Sequence, residues 1–197
     1  LDQLRMQDTV SPESLDPAVA DADQLLHASS ALLRLARIEA QPKIEHEPAV
    51  ELDALVRDAM ELYEPIAAER EIALNASTQP LQVEGDADQL FQLMVNLLDN
   101  AVKYAPAGSV VQLELTGIGE AARLVVADHG AGIPETERER VFDRFHRLEA
   151  HRGTAGTGLG LSLVRAIAQR HRARVFLEDN RPGLKAVVAF PHSRRRP

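Results

Sequence analysis

The segment 86–105 constrains this chain more than any other part of it. It is apolar over most of its surface, with Leu93, Met94, Val95, Leu97, Leu98, Ala101 and Val102. A helix this greasy belongs inside a folded body. Yet Asn96, Asn100, Lys103 and Tyr104 fall at i, i+4, i+7 and i+8, on one face of that helix. Two amides, an ammonium and a phenol buried there without partners would cost free energy. The pattern therefore predicts a packed helix whose polar face lines a ligand site. Amide oxygens suit a hard cation, and a lysine suits a phosphate.

The rest of the chain sets the frame. Its 197 residues fit one or two domains, and a hydrophobic content of 45% suffices for a core. Aromatics are 4% and Trp is absent, so that core is built from Leu, Val, Ile and Ala. A net charge of -8 argues against a nucleic-acid partner, which calls for a basic surface. With no cysteine there is no disulfide and no thiolate metal site, as suits a reducing compartment. No run of 18 apolar residues occurs, so no membrane segment is expected, and no signal peptide is legible. The chain opens on Leu1 within a helical pattern, and the expectation is a fragment whose upstream part lies elsewhere.

Four segments are expected. Residues 1–41 read as a partial helical hairpin. Its residues 1–8 end one helix, and Ser11-Pro12-Glu13 caps a second over 14–39. Leu15, Val19, Ala22, Leu26, Leu33 and Ala36 form its stripe, widened by Leu25, Leu32 and Leu35. A hairpin cannot bury that stripe alone, which predicts a homodimer through the bundle helices. Residues 42–48 are a linker, 49–192 a second domain, and 193–197 a basic, solvated tail. Within 49–192 the spacing predicts helices over 53–70, 86–105 and 159–171. It predicts strands over 72–76, 109–115, 123–127, 174–177 and 186–190, and a short helical piece near 135–145. That order gives an α/β sandwich, a mixed sheet with helices on one face.

Two glycine clusters carry further chemistry. The strand ending at Ala127 runs into Asp128-His129-Gly130-Ala131-Gly132-Ile133-Pro134. The glycines let a ligand approach the backbone, and the carboxylate can accept from an amino group such as that of adenine. Gly156-Thr157-Gly158-Leu159-Gly160-Leu161 runs straight into a helix, whose first N–H groups and dipole favour an anion. It lacks the Gly-Lys-Ser/Thr ending of a P-loop. Between the clusters stands Phe142-Asp143-Arg144-Phe145-His146-Arg147. Its phenylalanines can pin a loop to the core, and its arginines can reach a terminal phosphate.

Taken together and in this order, the segments resemble the motif boxes of the sensor histidine kinases. Asn96–Tyr104 resembles their N box, Asp128–Gly132 and Gly156–Leu161 their two glycine boxes, and Phe142–Arg147 their F box. Leu32-Leu33-Arg34-Leu35-Ala36-Arg37-Ile38-Glu39-Ala40 resembles the end of their dimerisation helix. The resemblance implies the Bergerat fold shared with gyrase B, MutL and a heat-shock chaperone. It implies ATP and Mg²⁺ as ligands and transfer of the γ-phosphate to a histidine, then to an aspartate on a response-regulator receiver domain. It also implies a cytoplasmic location, with the full-length protein anchored in the bacterial inner membrane. By this likeness Asp128 takes the adenine amino group, with Gly130, Gly132, Ile133 and Phe145 around the nucleotide. Asn100 holds Mg²⁺ with the help of Asn96. Lys103, Tyr104 and the backbone from Gly156 through Thr157, Gly158, Leu159 and Gly160 to Leu161 contact phosphates. Arg144 or Arg147 addresses the γ-phosphate, under a lid over 134–157.

The chain also departs from the family pattern. His146 stands where Tyr is usual, and His129 where Asn is common. No His-Asp/Glu-Leu-Arg-x-Pro-like acceptor box occurs, and His27, with no acidic neighbour, is a poor substitute. The ATPases of the superfamily carry a Glu at position 96. The amide of Asn96 cannot act as a general base at neutral pH, which favours transfer over hydrolysis. The expectation is a chain that binds ATP-Mg²⁺ but does not phosphorylate itself. A nucleotide-sensing module without catalysis, an anti-sigma-type serine kinase and an ATPase remain as alternatives.

Overall fold

The computed structural model describes residues 12–41, 47–148, 156–191 and 194–195. Its elements run α1 (Pro12–Ala40), β1 (Ala49–Glu51), α2 (Leu52–Glu69), β2 (Ala73–Thr78), β3 (Leu81–Glu84), α3 (Ala87–Tyr104), β4 (Val110–Ile118) and β5 (Ala121–Ala127). Two 3-10 turns follow, Glu135–Glu137 and Arg140–Phe142. The chain closes with α4 (Gly160–Arg170), β6 (Arg174–Asp179), β7 (Leu184–Phe190) and β8 (Arg194–Arg195).

Five strands form the main sheet in the order β2-β4-β5-β7-β6. Only β2 and β4 pair in parallel; β4–β5, β5–β7 and β6–β7 are antiparallel. The sheet is thus mixed, as the sequence predicts. Strand alternation decides its faces. Val111, Leu113 and Leu115 of β4 point into the core, while Gln112 and Glu114 face outward. The helical layer meets that inner face with Val56, Ala59 and Tyr63 of α2, Leu93, Met94 and Leu98 of α3, and Val164 and Ile167 of α4. Asp86 caps α3 by accepting from the Gln89 N–H at 3.1 Å.

A second sheet of three strands, β1-β3-β8, is absent from the sequence expectation. Its strands are two to four residues long, too short for an alternating pattern to stand out from the surrounding turns. One member corrects the tail. Residues 194–195 pair antiparallel with Leu81 and Gln82, so this part of the expected solvated end is held on a strand.

The long helix α1 also differs from expectation. It packs against the rest of the chain, but through Leu35 and Ile38, which join the main core. The stripe residues Leu26 and Leu33 are 64% and 62% exposed. The face that docks is therefore offset from the stripe that spacing selects. The predicted helix end over 1–8 and the side chain of His27 lie outside the described residues.

Candidate functional site

The polar face of α3 opens onto a cavity of about 390 Å³. Asn96, Asp99, Asn100, Lys103 and Tyr104 form one wall, and the opposite wall is the backbone from Gly156 to Leu161 at the start of α4. His146, Arg147 and Leu148 close a third side, and Ala31 of α1 touches its rim. A smaller cavity of about 60 Å³ continues inward, sharing Asn100, Tyr104, Ile133 and Leu161 with the first. Its walls are hydrocarbon from Leu97, Val126, Leu177, Leu184 and Ala186, with Asp128 as the one carboxylate among the described residues. A single cleft thus runs from an apolar floor to a charged mouth.

Backbone contacts fix Asp128 at the end of β5. Its N–H donates to the Leu184 carbonyl at 2.9 Å, and its own carbonyl accepts from Asn180 Nδ2 at 2.7 Å. The Gly130 N–H donates to Asp128 Oδ1 at 2.7 Å. A Cβ on Gly130 would lie 2.5 Å from the Tyr104 carbonyl oxygen, so this position requires glycine. Asp128 is 7% exposed, and burial raises its pKa, opposed by the hydrogen bonds from Gly130 and Leu184.

At the mouth the groups come from facing helices. Gly160 lies against both Asn96 and Asn100, with a Cβ there 3.4 Å from Asn96 Oδ1 and 3.6 Å from Asn100 Nδ2. The start of α4 is capped by Leu159, which has no polar side chain to satisfy its first N–H groups. Asn96 Nδ2 donates to the Gln92 carbonyl at 2.7 Å. Asn100 Nδ2 is buried with no hydrogen-bond partner among the described residues. Lys103 Nζ lies 5.1 Å from the centre of the Tyr104 ring, and a Cβ on Gly156 would collide with it. Burial lowers the Lys103 pKa, and the nearby Asp99 carboxylate opposes that shift. Burial raises the pKa of the Tyr104 phenol.

The structure brings most of the expected residues together, with three exceptions. Gly130 supports the wall from behind. Phe145 lines neither cavity and is 59% exposed. Phe142 takes the core position, and Phe145 sits at a φ of 61° with its N–H donating to the Gly158 carbonyl at 3.1 Å. Only one of the two phenylalanines therefore pins this segment. Arg144 points to α1, where its Nη2 lies 2.6 and 2.5 Å from the two carboxylate oxygens of Glu39. Of the two arginines, Arg147 alone lines the cleft. Of the predicted lid, 149–155 lies outside the described residues.

Sequence reasoning missed Asp99, although it stands three residues after Asn96 on the same face. The Tyr63 hydroxyl donates to Asp99 Oδ1 at 3.3 Å, and burial, followed by the Asp99 charge, raises the pKa of that phenol. Leu177, Leu184 and Ala186 were not identifiable as floor residues, because only strand register brings β6 and β7 beneath Asp128.

Comparisons with known proteins agree with this architecture. Residues 85–194 match the model of the histidine kinase-, DNA gyrase B- and HSP90-like ATPases. A histidine-protein kinase/phosphatase, MprB of Mycobacterium avium, is 35% identical over 167 residues, covering 84% of this chain and 31% of that protein. The solved structure of a mycobacterial sensor histidine kinase MprB aligns with a TM-score of 0.67 at 29% identity, covering 76% of this chain and 99% of that one. A full-length ShkA structure in complex with AMPPNP aligns with a TM-score of 0.77 at 27% identity, covering 94% of this chain and 40% of that one. The matches span 20–31% of the length of the MprB relatives. From its α3 and α4 walls to its mixed sheet, the chain belongs to the histidine kinase-, DNA gyrase B- and HSP90-like ATPase family, among relatives that are sensor histidine kinases.

Proposed function

We propose that this chain is the ATP-binding core of a sensor histidine kinase. In this reading the core directs the γ-phosphate of ATP to a histidine supplied by another segment, and from there to an aspartate on a response-regulator receiver domain. The observation that carries the reading is the continuity of the cleft. One end presents a buried carboxylate in hydrocarbon, and the other presents amides, a lysine, an arginine and a helix N-terminus. A flat heterocycle bearing an amino group fits the first end, and a polyphosphate fits the second.

Asp128 accepts from the adenine amino group, while Ile133, Leu161 and Leu184 exclude water around the ring. Gly156, Thr157, Gly158, Leu159 and Gly160 offer backbone N–H groups to the phosphates, and Lys103 and Arg147 offset their charge. Tyr104 adds a hydroxyl at the boundary between the two ends. Magnesium fits here on one structural ground. The Asn100 amide has an orphaned buried atom at the cleft wall, and amide oxygen and nitrogen exchange by a flip. Asn100, assisted by Asn96, would therefore hold the ion. When bound, the ion would supply positive charge that offsets the phosphates during transfer. Positioning and charge stabilisation then supply most of the catalysis.

Residues 49–192 form the catalytic unit, and α1 contributes to a dimer through its exposed leucines. The protein works on the cytoplasmic side of a membrane in which other segments anchor it. No described helix is long and apolar enough to cross a membrane. Titration calorimetry with AMPPNP and Mg²⁺ tests the central reading. Saturable heat is expected, and its absence from folded protein overturns it. Labelled ATP tests the acceptor assignment: no acid-labile label should remain on this chain.

A further inference from the structure

Among the described residues the cleft mouth holds two side chains able to accept a proton, Asp99 and His146. Asp99 is engaged by the Tyr63 hydroxyl and shares its helix face with Lys103. The arrangement at His146 is different. Its Nε2 lies 3.0 Å from Glu137 Oε2, while Arg140 donates to the other carboxylate oxygen, Oε1, at 2.8 Å. Glu137 is thus clamped with one oxygen facing the imidazole. Its carboxylate places the ring hydrogen on Nε2 and leaves the Nδ1 lone pair free. Among the described residues Nδ1 has no hydrogen-bond partner. The backbone is fixed too: the Phe145 N–H bonds the Gly158 carbonyl, and a Cβ on Gly158 would meet the His146 carbonyl oxygen at 3.1 Å. The histidine is therefore held against the glycine loop at the start of α4.

We propose that His146 is a general base for water, with Glu137 as its positioning residue, and that the chain hydrolyses ATP without any acceptor histidine. This rests on the nucleotide reading above, and it supplies the base that Asn96 cannot be. In the step, a water oxygen bonds to the γ-phosphorus as the bond to the β,γ-bridging oxygen breaks. That oxygen keeps the electron pair and departs on ADP. The water proton passes to Nδ1, Glu137 stabilises the imidazolium, and the proton returns to solvent after phosphate leaves.

The test measures phosphate release from ATP and Mg²⁺, with AMPPNP binding followed by calorimetry in parallel. Wild type should release phosphate. His146→Ala should bind AMPPNP within about threefold of wild type and lose roughly 100-fold or more of the release, the size expected of a general base. Added imidazole should restore part of that loss, which a merely structural role would not allow. Glu137→Gln should lower release without changing affinity. Undiminished release from His146→Ala, a loss that imidazole does not repair, or no release above blank from wild type that binds AMPPNP each overturns the proposal. Wild type that fails to bind AMPPNP overturns the nucleotide reading instead, and calorimetry separates the two failures.

Discussion

At the Asp128 end of the cleft the walls are buried hydrocarbon and backbone in close contact. At the Lys103 end they are charged side chains and the start of α4, which no side chain caps, around a much larger space. The deep end is fixed by contacts that no side-chain rotation can relieve, such as Gly130 against the Tyr104 carbonyl. The mouth depends on side chains of both signs, with Asp99 beside Lys103 and Arg147. Arg147 opposes the charged form of Lys103 there, as burial does. The first end suits rigid recognition of a flat group. The second suits a ligand whose charge changes during reaction.

If that division is right, substitutions at the two ends should affect different parts of a nucleotide. Asp128→Ala should have the largest effect. Losing a buried charge-assisted hydrogen bond costs about 2–3 kcal/mol, or roughly 30- to 150-fold in Kd. Calorimetry should show the same loss for adenosine diphosphate and triphosphate. A loss confined to the triphosphate would break the comparison. Gly130→Ala should destabilise the fold by about 1–3 kcal/mol, because Cβ would overlap backbone; urea unfolding would read it. Lys103→Met should weaken triphosphate binding about tenfold, the lower range for a charged hydrogen bond at a partly open site, and leave adenosine almost unchanged.

His171 provides a control away from both ends. The Asp86 N–H donates to its Nε2 at 3.0 Å, and its Nδ1 pairs with the Ile167 carbonyl at 2.8 Å. Burial is the main cause of its lowered pKa. A histidine with a lower pKa folded than unfolded stabilises the fold fully above the unfolded value, about 6.5. That contribution is lost as pH falls through the folded value. The urea midpoint of wild type should therefore fall on acidification more steeply than that of His171→Gln. The smallest effect is expected from Glu39→Gln, since the ion pair with Arg144 is half exposed at both partners and worth at most about 1 kcal/mol. Freed Arg144 should tighten triphosphate binding less than about fivefold. No change would confine Arg144 to tying the loop to α1.

Much of this was legible because it is local. The α3 stripe follows helical spacing, and its apolar residues are buried while its polar face lines the cleft. The two glycine segments sit where glycine is sterically required or where a helix begins. What failed depends on partners distant in sequence. Arg144 and Arg147 look equivalent in a list of residues, yet Glu39 holds one away from the cleft. Phe142 and Phe145 are equally apolar, and the core has room for one. On α1, Leu35 was recognised only as a widening of the stripe, because the surface that buries it belongs to distant elements.

The sequence by itself determined which helix must be buried, which of its faces stays polar, and where glycine must stand. Those are consequences of periodicity and of residue size, and each is written within a span of about twenty residues. The tertiary structure alone decided that β6 and β7 floor the pocket, that Glu137 orients His146, and that α1 takes Arg144. Each of these depends on strand register or on a charge brought from another element, and spacing along the chain does not encode how two separate elements will meet.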